Sequence, residues 1–258
     1  MSTTLLIVDD EEEILEFLER ILHVKYTVLK AENGKEALGI LAAEAIHLVI
    51  SDVLMPEIDG FQLCREIKSN VESSHIPVIL LTAKNTIQSK VEGLELGADS
   101  YIEKPFSPQH LQAQIASLLT NRNLIRQHFA NSPLVHFNSM AYSRADERFL
   151  ESLNDVIHSN MENPGLDIDM LARAMNMSRA TLYRKIKAIS DLSTNEFINI
   201  VRLKKAAALL AEGSHKIYEV ALLTGFSSQS NFARNFHKQF DKTPTDYMQE
   251  RQAEKRSE

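Results

Sequence analysis

Residues 5–15, LLIVDDEEEIL, set four apolar residues directly against five acids. The apolar run is short and uninterrupted, as a strand buried on both faces would be. The following EEILEFLERILH places Ile14, Leu15, Phe17, Leu18, Ile21 and Leu22 at helical spacing. The acids have two physical readings. Asp10 with Glu13 makes a D-x-x-E capping box, and acids in a first helical turn favour the helix dipole. That accounts for Glu11, Glu12 and Glu13. It leaves Asp9, which still belongs to the strand end, free for another task such as holding a cation.

Outward from this stretch the first half alternates in period. YTVLKA, HLVISD, IPVILLTA and DSYIEKP are strand-like. GKEALGILAA, GFQLCREIKS, SKVEGLELG and SPQHLQAQIASLL are helical, the last with Ser107 as cap and Pro108 in its first turn. Five strands alternating with five helices predict an α/β doubly wound parallel five-stranded sheet. In such a sheet functional groups gather at the carboxyl ends of the strands. The polar residues there are Asp9 and Asp10, Asp52, Thr82 and Lys104. Carboxylate oxygens suit Mg²⁺, which is held by one or two carboxylates together with phosphate and water. A hydroxyl and an ammonium suit the remaining oxygens of a phosphoryl group.

With IVDDEEE, LVISDVLMPEIDG, PVILLTA and GADSYIEKPF in view, residues 1–122 resemble a response-regulator receiver domain of flavodoxin-like fold. The resemblance implies that Asp52 accepts a phosphoryl group from a histidine kinase. It implies that Asp9, Asp10, Asp52 and the backbone carbonyl of Leu54 hold Mg²⁺. Thr82 and Lys104 would bind phosphate oxygens, and Tyr101 would reorient with Thr82. For Tyr101 alone, the residues themselves read only as a half-buried strand aromatic.

Periodicity fades between residues 120 and 149, and 123–149 read as a linker. From residue 150 onward the chain is helical in pattern, and it contains a repeat. Leu171, Ala172, Met177 and Ser178 match Val220, Ala221, Phe226 and Ser227. After one inserted residue, Leu182, Arg184 and Ile186 match Phe232, Arg234 and Phe236. Each copy reads as helix, short turn, helix, and the second helix of such a unit enters the DNA major groove. The outward residues predicted are Arg179, Ala180, Thr181, Tyr183, Arg184 and Lys187 in one copy. Gln229, Ser230, Asn231, Arg234 and Lys238 are their counterparts in the other, while Leu182, Ile186, Phe232 and Phe236 face the core. Basic residues on a helix are commonly a solvated face, but two copies joined by TNEFINIVRLKKAAALLAE resemble an AraC/XylS-type DNA-binding domain. The closing GFSSQSNFARNFHKQFDKTPTDY carries that resemblance furthest. Residues 150–252 would form this all-α domain with two helix-turn-helix units, and 253–258 a tail.

The net charge of -7 conceals a division. Residues 1–122 carry 10 basic and 19 acidic side chains, and 123–258 carry 18 and 16. An acidic chain is no general nucleic-acid binder, so DNA binding must come from local basic surface. Residues 179–205 hold seven basic side chains against Asp191 and Glu196. The single cysteine, Cys64, excludes an intrachain disulfide, and MSTTLLIVDD does not read as a signal peptide. A cytoplasmic location is expected.

The expected function is a two-component response regulator, a DNA-binding transcription factor controlled by phosphorylation of Asp52. Its expected partners are a histidine kinase, promoter DNA, RNA polymerase and, when phosphorylated, a second copy of itself. No enzymatic activity is expected beyond slow self-dephosphorylation. Two other readings stay open: the receiver and output portion of a hybrid sensor histidine kinase, and a Mg²⁺-dependent aspartyl phosphatase. The phosphatase reading lacks the D-x-D nucleophile motif at a strand end and leaves the helical repeat without a purpose.

Overall fold

The computed structural model describes residues 3–83, 97–133 and 135–257. Strands β1 (Thr4–Val8), β2 (Thr27–Ala31), β3 (Leu48–Asp52), β4 (Val78–Thr82) and β5 (Ser100–Glu103) form one parallel sheet. Their order is β2-β1-β3-β4-β5, so the winding reverses between β1 and β3. Helices α1 (Glu12–Leu22), α2 (Gly34–Ala43), α3 (Gly60–Ser69) and α4 (Pro108–Asn131) connect and follow them. The helix read from SKVEGLELG lies outside the described residues apart from its last, Gly97.

Successive side chains of a strand point to opposite faces, and the two cores follow that rule. Leu5, Ile7, Leu48, Ile50, Ile79, Leu81 and Ile102 pack with Leu15, Leu18 and Leu22 of α1 and with Leu111 and Ile115 of α4. Leu6, Val8, Val49, Val78 and Leu80 pack on the other face with Ala37 of α2 and Leu63, Cys64 and Ile67 of α3. Every residue of β3 and β4 is buried. That is why their sequences are continuous rather than alternating.

Contacts divide the chain into two units, one comprising Met1–Arg122 with Tyr142–Asp146, the other Asn123–Ala141 with Glu147–Glu258. In the first unit Asp99 accepts ion pairs from Lys68 (2.6 Å) and Arg122 (3.0 Å). The Arg122 guanidinium lies 4.0 Å from the centre of the Tyr142 ring, and buried Asp146 accepts from Ser74 at 2.7 Å.

The second unit is helical: α5 (Arg144–Ser159) from Glu147 onward, α6 (Ile168–Ala174), α7 (Arg179–Ser190), α8 (Thr194–Glu212), α9 (Ile217–Leu223), α10 (Gln229–Phe240) and α11 (Pro244–Ser257), which continues as helix into the stretch expected to be a tail. The N-terminal half of α8 (Phe197, Ile198, Ile200, Val201) lies in one core with α6 and α7. Its C-terminal half (Leu203, Ala206, Ala207, Leu210) lies in a second core with α9 and α10.

The stretch 123–149 holds more structure than its faded periodicity suggests. Residues 123–131 complete α4, a 3-10 turn covers Phe137–Met140, and α5 begins at Arg144. Phe129 and Met140 are fully buried. The inward stripe here is only Ile125, Phe129 and Ala130, diluted by polar neighbours, so too few turns were present for the period to register.

Candidate functional site

The winding reverses between β1 and β3, and at such a reversal the carboxyl ends of the strands are where a doubly wound sheet binds its ligands. Asp9 follows β1 and is buried; Asp52 ends β3 and is buried; Thr82 ends β4 and is fully buried; Asp10 is exposed. Lys104 follows β5 and gathers two of these groups. Its Nζ lies 2.6 Å from Asp52 Oδ1 and 3.0 Å from Asp9 Oδ2. The other oxygens are also engaged. Asp9 Oδ1 accepts from the Glu11 amide at 3.0 Å, and Asp52 Oδ2 accepts from the Leu54 amide at 2.7 Å. Lys104 is tied to the sheet by its own amide, which donates to the Thr82 carbonyl at 2.7 Å, and the Lys104–Pro105 peptide is cis.

Burial raises the Asp9 carboxyl above its usual range, although the Glu11 amide and Lys104 pull it down. Burial acts on Lys104 in the opposite sense and lowers it. Its hydrogen bonds and attraction to Asp52 and Asp9 outweigh that, so the ammonium sits above its ordinary value. A charged lysine therefore stands between two carboxylates.

The structure overturns the capping box expected of Asp10 and Glu13. The N-cap of α1 is Glu11, not Asp10, and no side chain caps the helix. The Glu11 amide bonds instead to Asp9, while Glu12 and Glu13 occupy the first turn, where the helix dipole favours them. Tyr101 is half-buried in β5 against the core under α2 and α3. Its hydroxyl is buried without a hydrogen-bond partner among the described residues.

Among the described residues no three His, Cys, Asp or Glu side chains already converge on a common metal position. The donor set nevertheless fits a divalent cation. Asp9 and Asp52 flank one ammonium and exposed Asp10 follows Asp9 in the chain, so three carboxylates at one sheet edge are offset by a single lysine, and oxygen donors are what Mg²⁺ takes.

In the helical unit the two copies share the bonds of their turns and of their second helices' caps. Met177 N donates to Ala172 O at 3.0 Å, and Phe226 N to Ala221 O at 2.9 Å. Asn176 (φ 52°) and Gly225 (φ 74°) hold the same left-handed turn. Ser178 caps α7, and Ser228, not the Ser227 matched to it in sequence, caps α10, so the inserted residue falls before the cap; Asp191 and Asp241 end the two helices in the left-handed region. The likeness continues past the residues matched in sequence. Ser193 caps α8 by accepting from Glu196 N, and Thr243 accepts from Asp246 N in α11. Phe197 and Tyr247 then fill equivalent core sites.

Of the predicted outward residues, Arg179, Ala180, Tyr183, Arg184, Lys187, Gln229, Ser230, Asn231, Arg234 and Lys238 are exposed. Thr181 is half-buried and accepts from Ser178 Oγ. Leu182, Ile186, Phe232 and Phe236 are buried. The basic surface is smaller than the count suggested, because Lys185, Arg202 and Lys204 are buried. Lys185 shares the inward i, i+3, i+4, i+7 face with Leu182, Ile186 and Ile189, and its ammonium lies 5.8 Å from the Phe149 ring centre.

Comparison with known proteins agrees with both halves. The model of the response regulator receiver domain matches residues 5–116, and that of a helix-turn-helix domain matches 171–250. A "Probable transcriptional regulator ycf27" of Guillardia theta is 34% identical over 184 residues, which are 70% of this chain and 71% of that one. The chain belongs to the response regulators.

The regulator is also similar to a "Histidine kinase P4" of Formosa agariphila, 38% identical over 247 residues. That match takes in 96% of the regulator but 18% of the relative, so the chain spans under a fifth of that protein's length. Among solved structures, the signal receiver domain of a signal transduction histidine kinase from Syntrophus aciditrophicus is 40% identical. It covers 46% of the regulator and 92% of its own chain, with a TM-score of 0.45. Among the described residues no helix of the regulator is long and apolar enough to cross a membrane.

One site residue went unread in the sequence. A Cβ on Gly60 would lie 2.1 Å from the Asp52 carbonyl oxygen, and the Gly60 amide donates to Val53 O at 3.0 Å. Gly60 thus lets α3 start directly against the backbone of Asp52, while Asp59 caps that helix through the Gln62 amide. The ID-G pair in LVISDVLMPEIDG was the available signal.

Proposed function

We propose that this response regulator is a transcription factor switched by phosphoryl transfer to Asp52 from a histidine kinase. The carrying observation is the Lys104 ammonium set between Asp9 and Asp52 at the strand edge. A carboxylate is a weak nucleophile, and it can attack phosphorus only when charge around it is neutralised. The Asp52 oxygen would form the new P–O bond as the P–N bond of a phosphohistidine breaks, with the electron pair leaving on the imidazole. Mg²⁺, when held by Asp9, Asp10, Asp52 and the Leu54 carbonyl, would supply further positive charge. Lys104 and Thr82 would then bind phosphoryl oxygens, and Tyr101 would follow Thr82. The chain would have no enzymatic turnover of its own beyond slow loss of this group. In the cytoplasm, phosphorylation would favour a homodimer on promoter DNA, where RNA polymerase is the further partner.

The test is intact mass after incubation with acetyl phosphate and Mg²⁺. One acid-labile phosphoryl group is expected on the wild-type chain and none on Asp52→Asn. Incorporation at the same rate in Asp52→Asn withdraws the assignment.

The Formosa agariphila relative favours a second reading, in which the same chemistry serves the receiver and output portion of a hybrid sensor kinase. An antibody against this chain, used on the native cell extract, separates the two. A band of this chain's own length supports the free regulator, and one several times longer supports the hybrid.

A further inference from the structure

The C-terminal end of α4 belongs to the DNA-binding unit and engages three of its helices. Arg126 Nε donates to the Ile189 carbonyl at 3.2 Å, and its terminal nitrogen donates to the Ala188 carbonyl. Those carbonyls lie in the last turn of α7, where a helix has no internal donors left and carries partial negative charge. A guanidinium suits that position on both counts. One turn further on, Phe129 is fully buried and stacks on Phe197 of α8, with centroids 6.0 Å apart and planes at 22°. Lys204, also of α8, places its ammonium 4.5 Å from the Phe129 ring centre and donates to the carbonyls of Ser132 and Val135. Finally, Gln239 of α10 donates to the Ala130 carbonyl at 2.8 Å.

The two recognition helices are thus grasped at equivalent points. The repeat places Gln239 of α10 where α7 has Ile189, since both positions stand two residues before the left-handed Asp241 and Asp191. Without α4, α7 and α10 are linked mainly through their separate packing on the two halves of α8. The end of α4 closes a second path between them.

We propose that Arg126, Phe129 and Gln239 form a brace that fixes α7 and α10 relative to each other, and so sets which spacing between two DNA segments the chain accepts. The inference rests on the DNA-binding reading above. These are positioning residues: their contacts run to backbone carbonyls and core rings, whereas the base-reading candidates Arg184 and Arg234 stand on the exposed faces.

The experiment uses the full chain. A duplex is enriched from a random-sequence pool by the wild-type protein. It is then tested whole, as its two separate halves, and with one or two base pairs added between them. The double variant Arg126→Ala with Gln239→Ala should bind each half within about twofold of wild type. It should lose roughly tenfold on the whole duplex, in line with the loss of a few hydrogen bonds, and its preference among spacings should flatten. Arg126→Lys, which can still donate to one of the carbonyls, should recover part of the loss. Gln127→Ala, an exposed neighbour on α4, should bind as wild type. If the double variant fails to fold by circular dichroism, Gln239→Ala alone decides, with a smaller loss of the same pattern expected. Wild-type affinity and an unchanged spacing profile in the variants overturn the brace. So does an equal loss on halves and whole, which means that each helix is merely supported. Enrichment of no duplex by the wild-type chain overturns the DNA-binding reading itself, and the brace with it.

Discussion

The Lys104 ammonium stands 2.6 Å from the Asp52 carboxylate, across the end of β4 from the strand that carries it. Adjacent strands are about 4.8 Å apart, so the chain after β5 must turn back over the sheet edge for this pair to form. The same ammonium reaches Asp9, one strand further still. Lys104→Met would leave two buried carboxylates facing each other without a counter-charge. The carboxylates are buried but the ammonium is partly exposed, so the loss should be about 1–3 kcal/mol, below that of a fully buried pair. Calorimetry of the receiver transition in EDTA should show that loss, and Mg²⁺ should restore more stability to the variant than it adds to wild type. Equal stability of the two proteins in EDTA refutes the electrostatic account.

Leu54 places a half-exposed aliphatic side chain two residues past Asp52, while its amide is occupied by Asp52 Oδ2. Leucine cannot hydrogen-bond an attacking water. The phosphorylated regulator should therefore persist for minutes or longer in Mg²⁺ buffer, and Leu54→Asn should shorten that lifetime. Loss of the group from wild type within seconds contradicts the idea.

Cys64 is fully buried on the sheet-facing side of α3, and burial pushes its thiol up to about 11 despite the nearby Lys68. Only the thiolate reacts, and at pH 8 its fraction in the folded protein is on the order of one in a thousand. A disulfide reagent should label no cysteine in the native chain and one per chain in denaturant. Prompt native labelling would mean that α3 opens readily from the sheet.

Gly225 combines a φ of 74° with a crowded backbone: a Cβ there would lie 2.3 Å from the Met161 carbonyl oxygen and 2.9 Å from an Arg202 terminal nitrogen. Gly225→Ala should destabilise the helical unit by more than about 1 kcal/mol. Asn176 holds the equivalent turn at φ 52°, a conformation that Asn tolerates, so Asn176→Gly should stay within about 1 kcal/mol of wild type. Urea unfolding of both variants checks the pair, and a neutral Gly225→Ala refutes the argument.

Helix α8 has 19 residues and no internal Pro or Gly, and each half is embedded in a different core. At about 1.5 Å per residue it spans roughly 28 Å, close to one duplex turn of about 34 Å once the flanking helices are added. It should act as a strut that sets two reading heads on one face of the duplex. Inserting about half a turn of DNA between the segments should cost one set of base contacts. Arg234→Ala should relax sequence preference in one segment only, each bidentate contact being worth about 1–3 kcal/mol. Unchanged affinity after the insertion would mean that one helix alone reads bases.

The local patterns told most of this in advance, because they depend on neighbours in the chain. Apolar runs ending in Asp9, Asp52 and Thr82 mark strand ends wherever the strands finally lie, and period 3.6 put Leu182, Ile186, Phe232 and Phe236 inside. The repeat was legible for the same reason, although Ser193 and Thr243 showed its full extent only through their matching caps. What the sequence could not decide were contacts between distant segments. The pairing of Lys104 with both Asp9 and Asp52 depends on the strand order β2-β1-β3-β4-β5. The sinking of Lys185, Arg202 and Lys204 into the helical core removed three charges from a surface that composition had counted as basic. The weakly patterned end of α4 became structural through Arg126, Phe129 and Ala130, whose partners lie in α7, α8 and α10. A short inward stripe carries little periodic signal by itself. Its burial is fixed by the surfaces that close over it, and only the tertiary structure supplies those.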